Sequence, residues 1–171
     1  NQSPAAIFMR SIVNCDNKLI VAAVNGHCVG IAVTLLVHCD LVISVDYATF
    51  YVPFFQMAIV PEFASSFIFP SIMGIAKANN LLICGDKITA KKDYDYNIVG
   101  EIIDVRRPDR YNRRNNLNEE KQNVELLQYA YTKLEKVMET PLSRESIPIF
   151  KKVIRQNYMP IPIMKEIIKE E

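Results

Sequence analysis

Apolar runs separated by short polar breaks dominate the first two thirds of the chain. KLIVAAV, residues 18–24, is a continuous run rich in Val and Ile, which predicts a strand buried on both faces. Asn25-Gly26 has the chemistry of a turn. GIAVTLLVHC, 30–39, then predicts a buried helix, DLVISV, 40–45, a second buried strand, and ATFYV, 48–52, a third that ends at Pro53. Ahead of these, Ser3-Pro4 followed by AAIFMRSIVNC predicts a helix start, with Ser as the cap and Pro in the first turn. From Ser65 the pattern turns helical in SSFIFPSIMG, although Pro70 argues against an unbroken helix. IAKANNLLICG predicts another helix stopped by Gly85. TAKKDYDYNIV predicts one capped by Thr89 and closed near Asn97, a residue type that tolerates left-handed backbone. EIIDV, 101–105, predicts a strand.

This order of strands and helices is an α/β pattern with crossover connections. After it the character changes. Residues 106–116, RRPDRYNRRNN, form an Arg-rich polar stretch that reads as a loop. Beyond it, Val124, Leu127, Ala130, Tyr131, Leu134 and Val137 predict one apolar helix face. LSRESIPIFKKVIRQ predicts a second helix, and PIPIMKEIIKEE a short one. The expected organisation is an α/β core over 1–105, a loop over 106–116 and a helical region over 117–171.

Composition narrows the class. The 171 residues suggest one domain, half of them are hydrophobic, and the net charge is +1, so neither a basic nucleic-acid field nor an acidic disordered tail is present. No apolar run reaches the roughly 20 residues of a membrane-spanning helix. The start of the chain does not read as a signal peptide, and the C-terminal IIKEE is not a peroxisomal address of the SKL type. Cys15, Cys28, Cys39 and Cys84 are widely spaced, and buried thiols in a reducing compartment read better than disulfides or zinc. His27 and His38 lack metal-ligand spacing and read as structural.

Two stretches carry candidate chemistry. VNGHCVGIAVTLL, 24–36, is a strand, turn and glycine running into a helix, a junction that aims backbone N–H groups off a helix end. It reads equally as an ordinary βα turn. Glu62, in IVPEFASS, is the single charged residue between Asp46 and Lys77. It reads either as a loop carboxylate facing water or as a general base whose proton affinity an apolar setting would raise. No GxSxG is present, which leaves a Ser/His/Asp hydrolase little support.

Taken together, KLIVAAVNGHCVGIAVTLLVHCDLVISVDYATFYVPF, VPE and FPSIMGIAKANNLLICGDKITAKKDYDYNIVGEI resemble the crotonase (enoyl-CoA hydratase/isomerase) superfamily over roughly residues 5–155. Within it the chain is similar to the peroxisomal-type Δ3,Δ2-enoyl-CoA isomerases, which carry SPEGCSS where this chain has VPEFASS. The resemblance implies an α/β crotonase-like ββα spiral core followed by C-terminal helices, with the first strands of that fold lying upstream of residue 1 and its last helix beyond residue 171. It implies that Glu62 is the acid/base, that the backbone N–H of Ile31 after Gly30 is an oxyanion donor, and that Asn25, Phe54, Phe55 and Phe63 contact substrate. The two carboxylate positions of the hydratase branch fall on Thr34 and Phe54, so water addition is disfavoured. The family carries Gly at the positions of Ala58 and Phe63, which predicts a tightened or distorted loop here. The implied partner is an acyl-CoA or enoyl-CoA thioester. Coenzyme A is then part of the substrate, and no other cofactor or metal is required. The resemblance also implies a trimer or hexamer and a peroxisomal or mitochondrial compartment. A second reading is a crotonase-fold module with impaired catalysis that binds acyl-CoA or a protein. The Arg-rich loop would be a coenzyme A phosphate contact or a solvated loop.

Overall fold

The structure, a computed structural model, describes residues 3–105, 117–158 and 166. The Arg-rich loop expected at 106–116 and all but one residue of the short helix expected at 160–171 lie outside the described residues.

Helix α1 (Pro4–Val13) starts as its sequence predicts: the Ser3 side chain accepts the N–H of Ala6 at 3.2 Å. The chain then runs through β1 (Val21–Val24), β2 (His27–Val29), α2 (Ile31–Leu36), β3 (Leu41–Val45) and β4 (Thr49–Tyr51). A 3-10 turn at Phe55–Met57 leads to α3 (Ser65–Met73) and α4 (Ile75–Leu82). These are followed by β5 (Ile88–Thr89), α5 (Ala90–Asp95), β6 (Glu101–Ile103), α6 (Leu117–Met138) and α7 (Ser143–Tyr158). The strands form two three-stranded sheets: an all-parallel one in the order β1-β3-β6, and a mixed one in the order β2-β4-β5. In the mixed sheet β2 runs parallel to β4 and β5 antiparallel to it. The main core lies among these strands and the helices that cover them, with Phe50, Phe54, Phe69, Ile43 and Leu81 buried.

Several expectations change. Strand β1 is half-buried throughout rather than buried on both faces, because it is an edge of its sheet while β3 takes the centre. Strand β2 lies inside the stretch read as a turn. It is three residues long and alternates outward, inward, outward about Cys28, too short a pattern to register in sequence. Helix α3 continues through Pro70. Proline there forgoes one backbone hydrogen bond, and the burial of Ile68, Phe69 and Met73 holds the helix together. Helix α6 is rotated from its predicted face. Leu126 and Ala130 are buried and Leu134 and Val137 half-buried, whereas Val124, Leu127 and Tyr131 are exposed. It packs on β1 and β3 and is tied to β6 by Tyr129 and Lys133, both of which donate to Glu101.

Other expectations hold. The Thr89 hydroxyl accepts the N–H of Lys92 at 3.3 Å, and Asn97 sits at φ 65°.

Candidate active site

Strand β2 delivers the first half of the site. Its register against β4 pairs Val29 with Tyr51, and the N–H of Gly30 donates to the Tyr51 carbonyl at 2.8 Å. Gly30 then turns at φ 59°, ψ −126°, a combination that side-chain-bearing residues avoid. An added Cβ would meet nothing within 4 Å, so the backbone angle, not crowding, demands glycine here. This turn opens α2. The Gly30 carbonyl accepts the N–H of Val33 at 2.9 Å and of Thr34 at 3.3 Å. The N–H of Ile31, at the first helical position, takes no acceptor among the described residues.

The second half is the loop from Phe54 to Ala64. It carries Ala58 at φ 54°, Phe63 at φ 59° and Ala64 at φ 57°, three left-handed positions on residues other than glycine. Ala58 and Phe63, at positions where the resemblance implies glycine, thus occupy backbone that glycine adopts without strain. Glu62 is half-buried, and its carbonyl accepts the N–H of Ser65 at 3.1 Å and the Ser65 hydroxyl at 2.6 Å. The next residue, Phe63, is fully buried in a small apolar cluster with Val13, Ala64 and Ile68. Ile31 packs against that same cluster, so the start of α2 and the residue beside Glu62 meet across it.

The remaining candidates separate. Phe54 is buried in the main core and Phe63 in the small cluster, and neither presents surface to solvent. Phe55 is 69% exposed, at one end of an exposed apolar series with Met57, Ile59 and Val60 that runs up to Glu62. Asn25 is exposed in the turn between β1 and β2. Thr34 is buried and donates its hydroxyl to the Ile31 carbonyl at 3.3 Å.

His38, read from sequence as structural, contacts the Glu62 loop at Phe63. Its Nε2 lies 2.8 Å from the Phe63 carbonyl, and its ring stacks on the Phe63 ring at 4.0 Å between centroids and 21° between planes. A carbonyl only accepts, so Nε2 carries the proton and donates. Burial pushes His38 down to about 4, against the opposing pull of the Phe63 hydrogen bond and with help from the Arg155 charge, so the ring is neutral. Below His38, Lys151 is buried and donates to the carbonyls of Cys15 and Lys18 and to Asp40. Arg155 donates to the His38 carbonyl at 3.2 Å and to Asp40 at 3.3 Å. The signal in sequence for this arrangement was the presence of Ala58 and Phe63 where glycine is expected; nothing marked His38 as their support.

Elsewhere, Asp93 on α5 is buried with neither carboxyl oxygen hydrogen-bonded, and burial pushes it up to about 8. Burial, with the Asp93 charge adding to it, pushes the Cys28 thiol up to about 12. All four cysteines are free thiols, and no group of three or more potential metal ligands occurs among the described residues. A cavity of about 460 Å³ lies between α1, α7 and the α2–β3 turn, and one of about 210 Å³ lies near Ile72 and Gly100. Neither cavity is lined by Glu62 or Ile31. Among the described residues no helix is long and apolar enough to cross a membrane.

Comparison with known proteins bears on this geometry. The Enoyl-CoA hydratase/isomerase family profile matches residues 4–156. Mouse peroxisomal enoyl-CoA delta isomerase 3 is 44% identical over 99 residues, covering 56% of this chain and 31% of that protein. Rat enoyl-CoA delta isomerase 2 is 44% identical over 101 residues, covering 57% and 26%. The matched region thus spans less than a third of either relative. The solved structure of OdaA from Pseudomonas aeruginosa superposes with a TM-score of 0.82 at 26% identity, over 99% of this chain and 60% of that one. With the family profile matched along most of its length, the chain belongs to the enoyl-CoA hydratase/isomerase family, the crotonase superfamily, and is similar within it to enoyl-CoA isomerases.

Proposed function

We propose that the chain carries the acid/base half of a Δ3,Δ2-enoyl-CoA isomerase of fatty-acid β-oxidation, with Glu62 as the residue that moves the proton. The observation that supports this most is the meeting of the Ile31 turn and the Glu62 loop across one small apolar cluster. It sets a backbone donor, the N–H of Ile31, and the Glu62 carboxylate on neighbouring elements. In a bound 3-enoyl-CoA the C2 proton is acidified by the adjacent thioester. The Glu62 carboxylate removes it, and the electron pair moves onto the thioester oxygen to give a dienolate. The N–H of Ile31 donates a hydrogen bond to that oxygen. The protonated Glu62 then returns the proton to C4, and the double bond settles between C2 and C3. One carboxyl serves both transfers because C2 and C4 share one face of the planar dienolate. Exposed Phe55, Met57, Ile59 and Val60 form the apolar approach for the acyl chain.

The chemistry calls for no metal or redox cofactor, since coenzyme A arrives as part of the substrate. Buried Thr34 and Phe54 offer no second carboxylate, which favours isomerisation over hydration. A homotrimer or hexamer, and a peroxisomal or mitochondrial site of action, belong to the same proposal.

The test is conversion of 3-enoyl-CoA to 2-enoyl-CoA by the full chain and by Glu62→Gln. Loss of activity by about a thousandfold is expected on removing the sole acid/base. Equal rates in the two proteins would overturn the assignment. Acyl-CoA binding without turnover in the unsubstituted protein would support instead a binding module on the same fold.

A further inference from the structure

We propose that His38 is a positioning residue that clamps the Glu62 loop through Phe63, a role that rests on the isomerase reading above. Phe63 and Ala64 are consecutive residues in left-handed backbone. Such a conformation opposes the preference of L-residues, so the loop holds its shape only where something outside it over-determines that shape. His38 does this at two points on a single residue. Its N–H fixes the Phe63 carbonyl at 2.8 Å, which sets the plane of the peptide following Phe63. Its ring lies on the Phe63 ring at 4.0 Å, which sets the side chain. With both ends of residue 63 held, the backbone that enters it from Glu62 has one orientation.

The clamp is itself anchored. His38 follows α2, whose first residue, Ile31, packs on the cluster containing Phe63. The His38 carbonyl is held by Arg155 of α7, and the neighbouring Asp40 by both Arg155 and Lys151. A single short element therefore presents the Ile31 N–H at one end and grips the Glu62 loop from the other. Movement of the loop backbone at Phe63 relative to α2 works against the His38 contact. His38 touches no reacting atom in this scheme; it acts through Phe63.

The experiment uses His38→Phe, which keeps a stacking ring and removes the donor, His38→Gln, which keeps a side-chain N–H, and Phe63→Leu, which keeps the carbonyl and removes the stacked ring. Two readouts are taken on each. Amide hydrogen exchange over residues 58–65 is expected to speed up about tenfold in His38→Phe, with exchange in β3 and β4 unchanged. The kcat for enoyl-CoA isomerisation is expected to fall about tenfold with KM nearly constant, and His38→Gln to recover most of it. Native-like exchange over 58–65 in folded His38→Phe overturns the clamp, and faster exchange with unchanged kcat overturns its positioning role. Where His38→Phe does not fold, Phe63→Leu carries the same two readouts. If the unsubstituted chain fails to turn over 3-enoyl-CoA, the isomerase reading falls and the exchange data alone decide whether the clamp exists.

Discussion

At the α2–β3 turn, Lys151 is buried and donates to three acceptors, and the buried His38 donates to a carbonyl. On α5, which packs against β4, β5 and β6, Asp93 is buried and neither of its oxygens has a hydrogen-bond partner. The first arrangement recovers in hydrogen bonds what burial removes from polar groups; the second leaves the loss standing. Asp93 meets it by keeping its proton, since burial alone pushes it to about 8. The paired side is also the side that supports the Glu62 loop. Order is concentrated beneath the candidate site, and the unpaired acid sits elsewhere in the fold.

The sharpest way to break this contrast is to remove the central cation. Lys151→Met leaves Asp40 and two carbonyls without their shared donor and is expected to cost about 3–5 kcal/mol in urea unfolding. A neutral result would put the two regions on the same footing. Asp93→Ala is expected to act in the opposite direction, stabilising by about 2 kcal/mol at pH 8. Its gain depends on pH. The folded protein keeps the Asp93 proton up to about 8, whereas an unfolded carboxyl releases it near 3.8. Stability therefore falls as pH rises through that window, and the substitution removes the fall. His38 contributes the reverse slope. The unfolded imidazole takes up a proton near 6.5 and the folded one only near 4, so stability falls as pH drops between these values. In His38→Phe that loss disappears, a relative gain of about 2 kcal/mol at pH 4.5 over pH 7. The two slopes oppose each other between about pH 4 and 6.5, so each substitution exposes the other group. Denaturant titrations across pH 4–8 read both. The smallest expected effect is Ala58→Gly. This exposed position lies at φ 54°, and relief of its strain outweighs the added freedom of the unfolded chain by about 0.5 kcal/mol. An unchanged urea midpoint would show that the loop carries no strain at that position.

Much of the α/β order was legible in sequence because it rests on local chemistry. Ser3, Thr89, Gly85 and Asn97 mark helix ends by capping and left-handed backbone, and both depend on residues close in the chain. The continuous apolar runs located β1, β3 and β4. What sequence misjudged depends on partners far away. The same run predicts a strand buried on both faces whether it lies at the centre or the edge of a sheet, and β1 lies at the edge. Helix α6 carries two apolar stripes, and docking onto β1 and β3 chose the one through Leu126 and Ala130. For the candidate site, Gly30, Ile31 and Glu62 are proposed from a resemblance spread over many elements. Two of the residues set beside them are core: Phe54 and Phe63 are fully buried. The role of His38 was hidden because its partner is a backbone carbonyl 25 positions away, and a backbone acceptor leaves no trace in residue identity.

The Lys151 ammonium has a consequence for the order in which the protein is made. Its acceptors at Cys15, Lys18 and Asp40 lie 136, 133 and 111 positions earlier in the chain. At about 5–20 residues per second, a ribosome adds Lys151 roughly 7–27 s after Cys15. Through that interval the nascent strands and the Glu62 loop exist without the cation that joins the α1–β1 connection to the α2–β3 turn. Helix α7 therefore completes these contacts late in co-translational folding, after the segments it joins have been made.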